Sequence, residues 1–82
     1  MDRKEVYKIV DLERDYQDSI WNHSEKFNSV GDFLIYMDDY MRKTKEMYTT
    51  ESGKEPALDV LRKIVALGIA CFEVHGVPER KK

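Results

Sequence analysis

The chain is poor in the residues that build disulfide frameworks, metal clusters and phosphate-binding loops. It has one cysteine, two histidines and four glycines among 82 residues. A single cysteine excludes a disulfide framework and a zinc site built from cysteines, and no glycine-rich phosphate loop occurs. No apolar run approaches the ~20 residues that a membrane span needs, and no apolar signal segment follows Met1. These absences favour a small cytoplasmic protein without a membrane partner.

The residues that are abundant follow a helical pattern. The chain is 37% charged and 41% hydrophobic, with a net charge of −2. This composition is too apolar for a disordered chain and too acidic for a duplex nucleic-acid partner. The pattern predicts a single all-α domain over residues 1–82, with three helices in an antiparallel bundle. The helices are expected at about 2–21, 30–48 and 56–75, with loops at 22–29 and 49–55 and a flexible tail at 77–82.

Local signals predict where two of these helices begin and end. Ser29 and Asp32 have the spacing of a capping box in which Asp replaces the usual Glu or Gln. Pro56 suits the first position of helix three, because a proline there needs no backbone donor. Gly76 suits the residue that closes this helix, and Pro78 follows it.

Helix three is apolar over roughly two thirds of its circumference, counted at 100° per residue. Two other helices of a chain this small cannot easily cover such a surface, and oligomerisation is a common solution. We therefore expect homo-oligomerisation to complete a four-helix core at the interface. Ala66, Gly68 and Ala70 are small enough to allow a close approach between copies. The alternative is that the loops cover the surplus face.

Glu13 breaks the apolar pattern of helix one. Glu13, Gln17 and Trp21 are spaced four residues apart and form a line on the inward face. Because an unpartnered buried carboxylate is costly, Glu13 must either serve a ligand pocket or make a structural bond to loop amides or to an arginine. Arg14 and Asp18 are expected to form an i,i+4 pair on the solvent side.

Helix two offers two further groups of interest. Asp38 and Asp39 are weak candidates for a magnesium site, although neighbouring residues point about 100° apart on a helix and a solvated face explains them as well. Tyr36 and Tyr40 lie one turn apart and close to Lys43. Aromatic rings beside a lysine can stack a base and hold phosphate, but at helical spacing such rings are more often part of a core.

Part of the chain resembles a known family. Helix one contains Glu13-Arg14-Asp15-Tyr16-Gln17-Asp18-Ser19-Ile20-Trp21-Asn22-His23. This segment resembles the E-R-x-x-Q-x-x-x-W opening of small phage proteins described as MazG-like. The segment from Phe33 to Lys43 and the end of helix three follow in the same order, so the resemblance covers about residues 5–78.

The resemblance implies an all-α nucleoside triphosphate pyrophosphohydrolase fold, in intertwined dimers or tetramers with a four-helix core. Such proteins hold magnesium with an E-E-x-x-E motif on one helix and E-x-x-D on the next, and cleave between the α- and β-phosphates. Here the first motif aligns with Asp38-Asp39-Tyr40-Met41-Arg42 and the second with Val60-Leu61-Arg62-Lys63. Basic residues stand where acids are expected, which would repel a metal but attract phosphate.

These features predict a non-catalytic phage-type protein that binds or sequesters a nucleotide as an oligomer, with no resident cofactor. Its partners would be copies of itself and a small nucleotide. The predicted ligand-binding residues are Glu13, Gln17, Trp21, Asp38, Arg42, Arg62 and Lys63. One alternative is a magnesium-dependent pyrophosphohydrolase that uses Asp38, Asp39 and Glu13 with acids from a partner chain. The other is an interaction module whose helix three docks on a host protein and inhibits it.

Overall fold

The computed structural model describes residues 1–50 and 53–81. It contains three α-helices: α1 (Arg3–Trp21), α2 (Val30–Thr50) and α3 (Lys54–His75). A short 3-10 helix, Ser24–Phe27, lies between α1 and α2. The described ranges contain no β-strand, so the prediction of an all-α bundle of three helices is confirmed. Glu51 and Ser52 of the predicted second loop, and Lys82 of the predicted tail, lie outside the described residues.

Side-chain caps define the first turns of α1 and α2. The Asp2 carboxylate accepts a hydrogen bond from the Glu5 backbone N–H at 2.9 Å. Ser29 and Asp32 cap α2 reciprocally, with the Asp32 N–H donating to Ser29 Oγ at 3.1 Å and the Ser29 N–H donating to Asp32 Oδ2 at 2.8 Å. The reciprocal pair is the predicted capping box, and it satisfies two backbone donors that the helix leaves free.

The ends of α3 differ in how closely they follow the sequence signals. The helix begins at Lys54, two residues before the expected start at Pro56. A proline within the first turn is tolerated because none of the first four N–H groups has a partner inside the helix. At the other end, Gly76 adopts φ 85° and its N–H donates to the Phe72 carbonyl at 2.7 Å. Glycine suits this left-handed geometry, which closes the helix as predicted.

The connection between α1 and α2 is more ordered than the predicted loop at 22–29. Asn22 and His23 both have positive φ, at 50° and 60°, which ends α1 and turns the chain into the 3-10 helix. The His75 Nε2–H donates to the Asn28 carbonyl at 2.8 Å, and the His75 ring meets the edge of Phe33. These contacts attach the connection to the end of α3.

Helix α3 is the central element, because it packs against both α1 and α2. It runs antiparallel to α2, since Phe33 lies near His75 while Met37 lies near Gly68. The buried core joins α2 and α3 through Phe33, Leu67, Ala70 and Cys71. Partly buried side chains surround this core, namely Trp21, Met37, Tyr40 and Val74.

Part of α3 stays exposed, as its apolar circumference predicts. Ala66 and Ala70 are fully buried within the chain, so the expectation that they allow approach between copies is wrong. The exposed apolar residues of α3 instead follow coiled-coil spacing of three and four residues. We call this strip the α3 seam, consisting of the exposed Leu58, Leu61, Val65 and Phe72 together with Gly68, which is half-buried near Met37.

No helix in the described part of the chain combines the length and the apolar character that crossing a bilayer requires.

Candidate functional site

A cavity of about 300 Å³ opens where the end of α1 and the 3-10 helix meet α2 and α3. Its volume is at the lower end of the range for small-molecule pockets. Aromatic rings from α1 and α2 form one part of its wall, and polar side chains from the connection form another. We call it the Trp21 cavity, lined by Trp21, Ser24, Glu25, Asn28, Tyr36, Tyr40 and Leu67.

The helices bring the three aromatic rings together for simple geometric reasons. Trp21 is the last residue of α1, and Tyr36 and Tyr40 are one turn apart on α2, so they share a helix face. The Lys43 ammonium lies 5.4 Å from the centroid of the Tyr40 ring and 3.2 Å from the Asp39 carboxylate. The sequence left open whether these rings form a site or a core. In the structure they line a cavity beside a cation.

Arg14 is buried, and its predicted place on the solvent side is wrong. It still pairs with Asp18, at 2.8 Å from Nη2 to Oδ1, but it also binds two acids from other elements. Its Nη2 donates to Glu25 Oε1 at 3.0 Å, and its Nε donates to Glu73 Oε2 at 2.5 Å. The carboxylates of the connection and of α3 thus draw this side chain inward, because a buried guanidinium requires charged partners. We call this group the Arg14 cluster.

The Arg14 cluster shifts the ionisation of its members. Desolvation lowers the pKa of Arg14, but hydrogen bonds with Glu73, Asp18 and Glu25 outweigh it and raise the pKa above the usual value. The pKa of Asp18 is lowered, chiefly by a hydrogen bond with Glu25 and then by the hydrogen bond and charge of Arg14. Arg14 therefore stays cationic and favours an ionised Asp18 beside it.

Asp18, His23 and Glu25 are the one group, within residues 1–50 and 53–81, whose ligand atoms lie close enough to hold a metal ion. Arg14 already places its guanidinium against two of the three. A second cation there would be repelled at close range. The residues therefore fit a structural ion cluster better than a metal site.

Glu13 and Gln17 link α1 to α3. Arg62 Nε donates to Glu13 Oε1 at 2.7 Å, and Gln17 Nε2 donates to the Lys63 carbonyl at 3.2 Å. The pKa of Arg62 is raised by its hydrogen bonds with Glu13 and then with Asp59. The sequence left two roles open for Glu13, a place in a ligand pocket or a structural bond. The structure supports the structural bond, with Arg62 as the partner.

Asp38 and Asp39 do not fit a magnesium site. Asp38 is exposed, while Asp39 pairs with Arg42 and Lys43 on its own helix. Hydrogen bonds with Lys43 and then Arg42 lower the pKa of Asp39. The charge of Asp39, which a hard cation would need, is therefore already balanced by two side-chain cations.

The predicted ligand-binding residues do not form one site. Only Trp21 lines the cavity. Glu13, Gln17, Arg62 and Lys63 join α1 to α3, whereas Asp38 and Arg42 lie on the exposed side of α2. The polar wall from the connection was not foreseen, because Ser24, Glu25 and Asn28 follow no helical period that could reveal their direction.

Comparison with protein-family models, with curated proteins and with solved structures gave no match. The case for a function therefore depends on the geometry of the site.

Proposed function

We propose that this protein binds a nucleotide without hydrolysing it, and so acts as a phage-type sequestering protein on a self-associating helical scaffold. The observation that carries the proposal is the Trp21 cavity, which joins three aromatic rings to a polar wall. Stacking of a base on an aromatic side chain contributes about 1–3 kcal/mol. The rings would hold the base, and the polar wall would fix its orientation.

Lys43 is the cation best placed to meet a phosphate group. Its ammonium lies 5.4 Å from the centroid of the Tyr40 ring, which lines the cavity, and its side chain is more than half exposed. Of the basic residues expected from the sequence, Arg62 is held by Glu13 and Asp59, and Arg42 pairs with Asp39. A phosphate would compete with Asp39 for Lys43, which is feasible because exposed ion pairs are weak.

Binding without hydrolysis is supported by the charges around the cavity. Cleavage between phosphates usually depends on magnesium ions that neutralise the developing charge. The one acid of the cavity lining, Glu25, is balanced by Arg14. Arg42 stands where the resemblance implies a third metal-binding acid, and pairs with one of the two acids before it. A ligand bound here would be retained rather than consumed.

Self-association through α3 is supported by the α3 seam and by an adjoining groove. The groove, about 480 Å³ in volume, lies between α1 and α3, and its apolar walls include Val6, Ile9, Leu58, Leu61 and Val65. We propose that a second copy of the chain occupies it, because seams of three-and-four spacing pack against one another. Asp59, beside the seam, is balanced by Arg62 and Lys63, which lowers the charge repulsion between two copies at this residue. A helix of another protein is the competing occupant, as in an interaction module.

Thermal unfolding with a panel of nucleotides, with and without magnesium, tests the binding proposal. A ligand that binds the folded chain raises its melting temperature according to its concentration and affinity. We expect at least one nucleotide to stabilise the wild type to the same extent with and without magnesium. Trp21→Ala should abolish the effect. Tyr48→Ala, an exposed aromatic of α2 outside the cavity, should preserve it.

Two outcomes would contradict this proposal. If no nucleotide raises the melting temperature of the wild type, the cavity is not a nucleotide site. If pyrophosphate is released from a nucleoside triphosphate in the presence of magnesium, the protein is an enzyme rather than a sequestering protein.

A further inference from the structure

The two halves of α3 present complementary apolar shapes to the outside of the chain. The groove lies beside the first half of the helix, along Leu58, Leu61 and Val65. Phe72 belongs to the second half of the same seam, does not line the groove, and has half of its surface exposed. At roughly 1.5 Å of rise per residue, it lies about 10 Å beyond Val65. A single chain therefore leaves its groove open and this phenylalanine uncovered.

We infer that two copies of the chain pair through antiparallel α3 helices, and that Phe72 of each copy enters the groove of the other. This inference rests on the proposed self-association and specifies its geometry. A two-fold axis that crosses the seam near Val65 brings the second half of one α3 beside the first half of the other. Both grooves are then filled at once, as the self-complementary interface of a two-fold dimer requires.

The charge at the end of the seam favours this orientation. Lys54, the first residue of α3, is exposed and continues the three-and-four spacing of Leu58 and Leu61. In a parallel pair the two Lys54 ammonium groups would face each other and repel. In an antiparallel pair each of them lies beside the C-terminal end of the other α3, where the last carbonyls carry a partial negative charge.

The sizes of the residues along the seam favour the same orientation. Gly68 has no side chain, so the seam is shallow at this position. An axis near Val65 places Leu61 of one copy opposite Gly68 of the other, and the leucine fills the space that the glycine leaves. A parallel pair would instead bring two glycines together and leave a void, which loses van der Waals contacts on both sides.

The distance between spin labels distinguishes the two orientations. Lys54→Cys introduces one exposed labelling site, and the wild type treated with the same reagent is the control for the buried Cys71. An axis near Val65 separates the two labelled positions of an antiparallel dimer by about 35 Å, whereas a parallel dimer places them about 10 Å apart. Pulsed electron paramagnetic resonance should give the longer distance.

Truncation of Phe72 tests its contribution to the dimer. A large aromatic side chain that fills a pocket commonly dominates the affinity of an interface. Phe72→Ala should therefore raise the dissociation constant of the dimer at least about tenfold in sedimentation equilibrium. Phe27→Ala is the matched control, because it truncates an exposed phenylalanine outside the seam and the groove, and it should leave the dimer unchanged.

A double variant tests whether Phe72 enters the groove. Ile9 forms part of the groove wall, and Phe72 does not line the groove of its own chain. If the two side chains touch across the interface, Ile9→Ala has less to remove once Phe72 is truncated. The double variant should then lose less affinity than the product of the two single losses.

The outcomes separate the geometry from self-association itself. A wild type that sediments as a folded monomer would show that both the pairing and the proposed self-association are wrong. An oligomer whose Lys54→Cys labels lie about 10 Å apart would overturn the antiparallel orientation and leave self-association in place. Losses that multiply exactly in the double variant would overturn the placement of Phe72, and this measurement decides that point even if the labelled variant does not assemble.

Discussion

Glu13 of α1 accepts a hydrogen bond from Arg62 of α3 across 2.7 Å, and this pair lies away from the Trp21 cavity. The carboxylate is buried, whereas the Arg62 side chain is about one third exposed and also binds Asp59. The bond therefore connects two helices and has no direct access to the proposed ligand.

Glu13→Gln is expected to reduce stability without changing nucleotide binding. The amide cannot provide the charge that Arg62 pairs with, and weakening a partly buried charged hydrogen bond costs about 1–2 kcal/mol. Urea unfolding would measure the loss, and the thermal-shift panel would measure binding. Asp15→Asn, an exposed acid of the same helix, is the control. If Glu13→Gln loses nucleotide binding under conditions in which it is fully folded, Glu13 belongs to the binding site.

Arg14→Met is expected to be far more damaging than a change of an exposed arginine. It leaves the carboxylates of Asp18, Glu25 and Glu73 without their shared cation, and Glu25 is buried. Removing one partner from a buried charge cluster typically costs about 3–5 kcal/mol. Arg14→Lys should lose less, since it keeps the charge but lacks the planar fork that reaches several acids at once.

Denaturant unfolding would compare these variants with Arg3→Met, whose side chain is exposed at the start of α1. If Arg14→Met unfolds at the same urea concentration as Arg3→Met, the buried cluster contributes nothing to stability.

Stability is expected to fall in acid as Asp18 becomes protonated. The pKa of Asp18 is lowered from 3.8 in the folded chain. Its contribution is therefore complete above pH 3.8 and is lost as the pH falls through the lower folded value. Unfolding free energy measured below pH 3.8 should decline less steeply for Asp18→Asn than for the wild type. Asp15→Asn should keep the wild-type dependence of unfolding free energy on pH. If Asp18→Asn keeps it as well, Asp18 does not cause the loss of stability in acid.

The α3 seam is expected to hold copies of the chain together. Leu61→Glu places a carboxylate in the seam and in the groove, where it would be buried without a partner in the oligomer. Sedimentation velocity should show an oligomeric wild type and a monomeric Leu61→Glu. Leu34→Glu alters an exposed leucine of α2 outside the seam and the groove, and should leave the assembly intact. A wild type that sediments as a folded monomer at micromolar concentration would contradict self-association and favour a partner protein on this face.

The sequence predicted the fold better than the site, and particular residues show why. Helical periodicity and short-range signals such as the Ser29–Asp32 box act within a few residues, so they can be recognised without tertiary structure. The burial of Arg14 depends on Glu73, 59 residues away in the chain, and on Glu25 in a connection without periodicity. No spacing rule connects these positions. A helical wheel therefore assigned Arg14 to solvent, and nothing identified Glu25 as a wall of the cavity.

Several polar pairs join α1 to α3 beside the apolar side chains that these helices share, whereas α2 packs on α3 mainly through the apolar core. Three hydrogen bonds join α1 to α3. They link Glu13 to Arg62, Gln17 to the Lys63 carbonyl, and Arg14 to Glu73. The α2 side instead rests on Phe33 within the apolar core. Acid and concentrated salt weaken the first kind of contact more than the second. Acid or concentrated salt should therefore weaken the attachment of α1 more than that of α2. A hairpin of α2 and α3 would remain when α1 detaches, and a ligand in the Trp21 cavity would be released.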